Sequence, residues 1–232
     1  MYHYINEKDL PEFKRQVERM IRIGKIIPLE QLTFSSEGEK IFAITFDDAF
    51  QSTAEFGLHF LKKMGVPCTI FIPSGYIGKE PRWVTDPDHP YYHETIMDED
   101  ALGQLSSGIV QVGSHCVSHR RLTHMPLEEA QQELEHSKQY LEKIMKEPVR
   151  FLAFPYGDFD DNTLSLSRSS GYEKVFAGDP VSNYHPQSGF LFGRIDASPQ
   201  DWPVESWLKL QGAYNWLPFA ITLKSKIRSW IS

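Results

Sequence analysis

The chain has 232 residues, 41% hydrophobic and 24% charged, enough for one sizeable core; a strand-and-helix barrel of this length is commonly a single domain. A formal charge of -7 leaves no basic stripe to replace phosphate counterions, which argues against a nucleic-acid surface, and two cysteines, Cys68 and Cys116, do not make a disulfide framework. Residues 1–9 lack a basic region followed by an apolar one, and no later run is long enough to span a bilayer, so the expectation for a natural start at Met1 is a cytoplasmic protein, a processed secreted chain being the alternative.

Residues 9–24 place Leu10, Phe13, Val17, Met20 and Ile21 at helical spacing before Gly24, which predicts a helix with those side chains in the core. Ile26-Ile27-Pro28-Leu29 reads as a short strand and turn, and 35–40 as a polar loop. The apolar run Ile41-Phe42-Ala43-Ile44 then ends at Thr45-Phe46-Asp47-Asp48. Unpaired carboxylates at the tip of a buried strand would cost on the order of 3–5 kcal/mol, so they mark a site, or, for Asp48, the N-cap of the helix that follows. That helix, near 51–64, directs Phe56, Phe60, Leu61 and Met64 to the core. A second buried strand, 68–72, ends at Pro73-Ser74-Gly75.

Residues 76–97 break the pattern with Trp83, Asp86, Asp88, His89, Tyr91, Tyr92 and His93, and read as a lid or binding loop, or as an exposed insertion. A short helix near 98–106 and a strand at 109–112 lead into Gly113-Ser114-His115-Cys116-Val117-Ser118-His119. Pro126 opens a helix over 127–146 with Leu134, Tyr140, Leu141 and Ile144 on its apolar face. The strand 151–154 ends in Pro155-Tyr156-Gly157; a helix near 160–170 stops at Gly171; strands follow at 173–177 and 190–195, the last ending in Arg194-Ile195-Asp196. Alternating strands and helices predict an α/β fold on a parallel sheet, open or closed into a barrel. From about 213 a basic, aromatic tail with Trp216, Phe219, Lys224, Lys226, Arg228 and Trp230 reads as a terminal helix docked on its own domain or lying on a membrane surface as a peripheral contact.

Side chains at the C-terminal ends of barrel strands converge on one face, which brings Asp47, Asp48, His115, His119, Tyr156 and Arg194 within reach of one cleft. Two histidines four apart and one carboxylate give three N/O ligands for a zinc-like ion with a position open to water, and leave the other carboxylate to act as base. These residue types do not say which aspartate does which.

With those motifs in view, the chain resembles, over most of 1–196, the polysaccharide deacetylase family with the NodB homology domain (carbohydrate esterase family 4). The resemblance rests on Thr45-Phe46-Asp47-Asp48, on Ser114-His115 with Ser118-His119, and on Phe154-Pro155-Tyr156-Gly157. It implies a distorted (β/α) barrel and a metal-dependent hydrolase that removes an N-acetyl group from an amino sugar. Asp47 would be the base; Asp48, His115 and His119 would hold one divalent ion, Zn²⁺ first and Co²⁺ or Ni²⁺ next; and the main-chain N–H of Tyr156 would help hold the oxyanion. Two positions depart from the family pattern: Ala153 replaces an Arg, and Phe192-Gly193-Arg194 replaces a Leu-x-His motif. A subgroup similar to the poly-N-acetylglucosamine deacetylases shares both departures and carries an early Tyr-His, here Tyr2-His3. By that resemblance His3 protonates the leaving amine and Arg194 orients Asp47, with Asp196 either orienting Arg194 or lying in a surface turn. Cys116 is read as packing.

Tyr2, Tyr4, Trp83, Tyr91, Tyr92, Tyr156 and Trp202 are candidates to stack on sugar rings or to pack. The expected substrate is an N-acetylated sugar, oligosaccharide or lipid- or nucleotide-linked glycan precursor, in surface polysaccharide biosynthesis. The alternatives are an amidase or imidase on a non-sugar substrate and a carbohydrate-binding relative without turnover.

Overall fold

The computed structural model describes residues 1–33, 40–105, 108–178 and 189–213. The polar loop before Lys40 and the tail beyond Ala213 lie outside the described residues. Two short strands, β1 (Lys25–Ile26) and β2 (Ile41–Phe42), pair in parallel as a separate ribbon. The centre is a sheet of six parallel strands in chain order: β3 (Ile44–Phe46), β4 (Cys68–Ile72), β5 (Val110–Ser114), β6 (Phe151–Ala153), β7 (Lys174–Phe176) and β8 (Leu191–Phe192). Parallel neighbours need crossovers, which several of the helices supply. The helices are α1 (Leu10–Ile23), α2 (His59–Met64), α3 (Glu99–Gly103), α4 (Leu127–Met145), α5 (Asp161–Ser169) and α6 (Pro203–Leu210).

The strands are buried on both faces, as their near-continuous apolar runs require, and successive residues serve two cores. Ile70, Ile72, Leu152 and Val175 belong to the larger core beneath the helices. Phe71, Phe151, Phe176 and Phe192 alternate with them and form a second cluster of stacked and edge-on rings inside the curl of the sheet. Gly113 makes this plug possible, because a Cβ there would collide with the Phe71 ring.

The two edges of the curl are joined by the first residues of the chain. Tyr2 N–H donates to Thr45 O (2.8 Å) and Asp47 N–H to Tyr2 O (2.9 Å) on one side; on the other, Ala197 N–H donates to Met1 O (2.8 Å). Met1-Tyr2 thus acts as an extra rung between β3 and residues 195–197, giving the distorted barrel that the family resemblance implies.

Several expectations need correction. Thr53–Leu58 winds as a wider π-helical turn, which shifts the helical phase, so Met64 comes out 49% exposed while Thr53, Gly57 and Leu58 are buried. In α1 the buried stripe is Phe13, Gln16, Val17 and Met20, and Ile21 lies on its exposed margin. Gln16 is inside because its amide bridges the Tyr2 hydroxyl and Ser198 O, at 2.8 Å each. Tyr140 faces outward, its hydroxyl donating to Glu99 on α3. The run at 26–29 pairs only through Lys25–Ile26 before Pro28, and the strand expected over 190–195 stops at Phe192. Helix α6 was not legible as periodicity.

Candidate active site

The C-terminal ends of β3, β5, β6 and β7 open on one cleft of about 580 Å³, with the chain after β8 completing its wall. Five residues around it, Asp48, Ala49, Cys116, His119 and Tyr156, hold positive φ between 53° and 69°. Such backbone is costly for residues with a side chain and collects where surrounding structure forces it.

Asp47 and Arg194 form a buried, bidentate pair: Nη1 donates to Oδ1 at 2.6 Å and Nη2 to Oδ2 at 2.7 Å. Arg194 is fixed in turn by Nε donating to Ala177 O (3.0 Å) and by lying over the Phe71 ring, 5.4 Å from its centroid, so the aromatic plug is the floor of the site. Burial alone would raise the Asp47 pKa; Arg194, with His115 and His3 nearby, outweighs it and holds the carboxyl well below the usual carboxylate range.

Asp48 does not cap the following helix. Its φ of 69° turns it into the cleft, where Oδ1 lies 3.1 Å from His119 Nε2 and 3.8 Å from His115 Nε2. All three residues are buried, and one ligand atom from each lies within 4.8 Å of the others. Burial works to raise the Asp48 pKa, but the histidines around it prevail and lower it. Among the described residues Asp48 Oδ1 makes no hydrogen bond. A buried anionic oxygen left in that state is costly, and a cation between it and two imidazole nitrogens is what this donor set fits. His115 is prepared for such a role: burial, outweighing the two carboxylates, lowers its pKa to about 4, so the ring is neutral, and its Nδ1–H is directed to Ala153 O at 2.7 Å, leaving Nε2 as the lone pair. Burial raises the Cys116 thiol well above its ordinary value, which suits a packing residue.

His3 and Tyr156 line the same cleft. The side chain of Asp196, read from the sequence as orienting Arg194 or lying in a surface turn, is largely exposed and lies 3.8 Å from His3 Nδ1, so it accompanies the histidine. Tyr156 sits at the turn after β6 with φ 59°, and Gly157 is needed beside it because φ is +67° and a Cβ would run into the Gly178 backbone. The 76–97 segment forms one side of the cleft through Trp83, Val84, Thr85, Asp86, His89 and Tyr91.

Four of the aromatic residues expected to stack on sugar or to pack lie outside the cleft lining. Tyr2 is 2% exposed and packs edge-on against Phe13; Trp202 is 78% exposed ahead of α6; and Tyr92 is packed beside His93, away from the cleft lining. Tyr4 packs on Phe50 and Tyr91, behind the wall. The Ala153 carbonyl and Gly178 were missed; the only signal was their place at the ends of apolar runs.

The profile described as polysaccharide deacetylase matches residues 35–175. A curated protein of Bacillus subtilis (strain 168), YxkH, named provisionally as a polysaccharide deacetylase, is 23% identical over 161 residues, 69% of this chain and 53% of that protein. The chain therefore spans about half the length of that relative. Among solved structures, the Streptococcus pyogenes deacetylase PplD in complex with acetate aligns with a TM-score of 0.69 at 18% identity, over 90% of this chain and 93% of that one. IcaB from Ammonifex degensii aligns at 0.70 and 19%, over 89% and 93%. At these identities the shared property is the fold, a curled parallel sheet wrapped by helices.

Proposed function

Since the chain belongs to the polysaccharide deacetylase family, we propose that it hydrolyses the N-acetyl group of an amino sugar within a glycan, with one divalent ion, zinc before cobalt or nickel, held by Asp48, His115 and His119. The observation that carries the reading is the pairing of two unlike carboxylates in one cleft: Asp48 faces two imidazoles with an unsatisfied oxygen, while Asp47 beside it is clamped by Arg194.

A bound ion would polarise the acetyl carbonyl and ease deprotonation of the attacking water. Asp47 takes that proton. Its pKa keeps it ionised throughout the neutral range, and each of its oxygens retains a lone pair beyond the one engaged by Arg194. The main-chain N–H of Tyr156 steadies the oxygen of the tetrahedral intermediate. As the C–N bond breaks, His3 delivers a proton to the nitrogen, with Asp196 steadying the ring from its Nδ1 side. The products are acetate and a free amine. An amide nitrogen departs only when protonated, whereas an ester oxygen depends on this far less, so an acid lining the cleft favours an amide substrate. Tyr91 and Tyr156 offer rings for sugar contact. A binding relative without turnover is disfavoured by Arg194 lying on Asp47 and His3 lining the cleft.

Acetate release from an N-acetylglucosamine oligomer is expected to disappear after chelation and to return with zinc. Release unaffected by chelation, or none from the zinc-loaded protein, would overturn the reading. His3→Ala is expected to slow amide hydrolysis about 10²–10⁴-fold while slowing an activated aryl acetate much less. Wild-type turnover of the amide by His3→Ala would remove His3 from the mechanism.

A further inference from the structure

The two histidines of the site are held by different means. His115, following β5, is tied through Nδ1 to the Ala153 carbonyl on the adjacent strand, the outer hydrogen bond that usually orients a ligand imidazole. His119 has no such tie: its Nδ1 is buried and makes no hydrogen bond among the described residues, and its backbone stands in the left-handed region at φ 53°. One face of its ring is instead covered by the indole of Trp83, with centroids 4.0 Å apart and planes 22° from parallel. His115 and Tyr156 meet it obliquely, each at 4.9 Å.

Trp83 is itself fixed. Tyr76 abuts it edge-on at 4.9 Å and 89°. The segment bearing it is closed at its neck by Gly78 N–H to Ile96 O and Ile96 N–H to Lys79 O, and is tied beside the aspartates by Met97 N–H to Ala49 O (2.9 Å). An imidazole that nothing holds must lose rotamer freedom when it takes up an ion; one already stacked on a fixed ring has less to lose.

We propose that Trp83 is a positioning residue of the metal site: by stacking on His119 it does for that ring what the Ala153 carbonyl does for His115, so that affinity for the ion depends on the 76–97 segment. This rests on the reading of Asp48, His115 and His119 as ligands. It also gives one face of Trp83 a duty other than the sugar contact expected of it from the sequence.

Zinc affinity of the full chain, measured by competition with a chromophoric chelator, and the visible spectrum of its cobalt(II) form test this without reference to activity. Trp83→Leu, which fills space without a flat face, is expected to weaken zinc binding about tenfold and to change the cobalt bands, while Trp83→Phe restores most of the affinity. Tyr76→Leu, which removes only the ring holding Trp83 edge-on, is expected to act in the same direction by less, and it serves as the test should Trp83→Leu fail to fold. Wild-type affinity and an unchanged cobalt spectrum in the folded Leu variant would overturn the inference alone. A wild-type chain that takes up neither zinc nor cobalt would overturn the ligand assignment and this inference with it.

Discussion

Asp47→Asn is expected to slow acetate release about 10²–10⁴-fold, the usual loss on removing a general base, while zinc binding survives. Asparagine keeps the size of the side chain and one acceptor for Arg194, but it does not take a proton from water at neutral pH. The geometry separates the two neighbours: both oxygens of Asp47 are engaged by Arg194, whereas Asp48 Oδ1 faces His119 and His115. Asp48→Asn should therefore differ in the metal, with zinc binding lost along with activity. Metal titration and acetate assays on the two proteins decide the roles. Zinc lost in Asp47→Asn and kept in Asp48→Asn would exchange them, and full activity in Asp47→Asn would end the proposal that it is the base.

Arg194→Met is expected to destabilise the fold by about 3–5 kcal/mol at neutral pH, because it leaves the Asp47 charge buried without a partner. The effect should depend on pH with a definite sign. In the wild type the folded-state pKa of Asp47 is depressed, so its stabilising contribution is complete above the unfolded value of about 3.9, declines below it and is gone once pH has fallen through the lower folded value. Without Arg194, burial raises that pKa instead, so Asp47 takes up a proton on acidification and the deficit of the variant shrinks. Urea unfolding at pH 7 and pH 4 measures both. The double variant Asp47→Asn with Arg194→Met should regain most of the stability and none of the activity, separating the structural role of the pair from its chemical one. Wild-type stability of Arg194→Met at neutral pH would show that the pair contributes little to holding the site.

Much of this architecture was legible because its strands are short apolar runs that stop abruptly at polar motifs. The runs ending in Asp47-Asp48, in Ser114-His115 and in Pro155-Tyr156-Gly157 all became strand ends of one parallel sheet. Helical faces were read less well where geometry departed from 3.6 residues per turn. The π-helical turn at Thr53–Leu58 moved Met64 outward, and a buried glutamine, satisfied by Tyr2 and Ser198, displaced Ile21 from the stripe of α1. Aromatic residues gave the weakest signal. Tyr2, Trp83 and Trp202 look alike as sugar platforms in a sequence, yet one is core, one covers a histidine and one is exposed ahead of a helix.

By itself the sequence determined the α/β class, the alternation of strands and helices along the chain and the set of acids and imidazoles at strand ends, because periodicity and abrupt strand endings are local properties of a chain; the order of the strands in the sheet came from the structure. Residue types and spacing left open which aspartate faces the histidines, a choice that only the family resemblance supplied; the tertiary structure puts Asp48 there, and it alone decided that Asp196 accompanies His3 and that Met1-Tyr2 closes the curl beside the cleft that His3 lines. The Asp47–Arg194 pair joins positions 147 residues apart, and a partner at that separation is chosen by the curvature of the sheet and the packing beneath it, which no repeat in the sequence encodes.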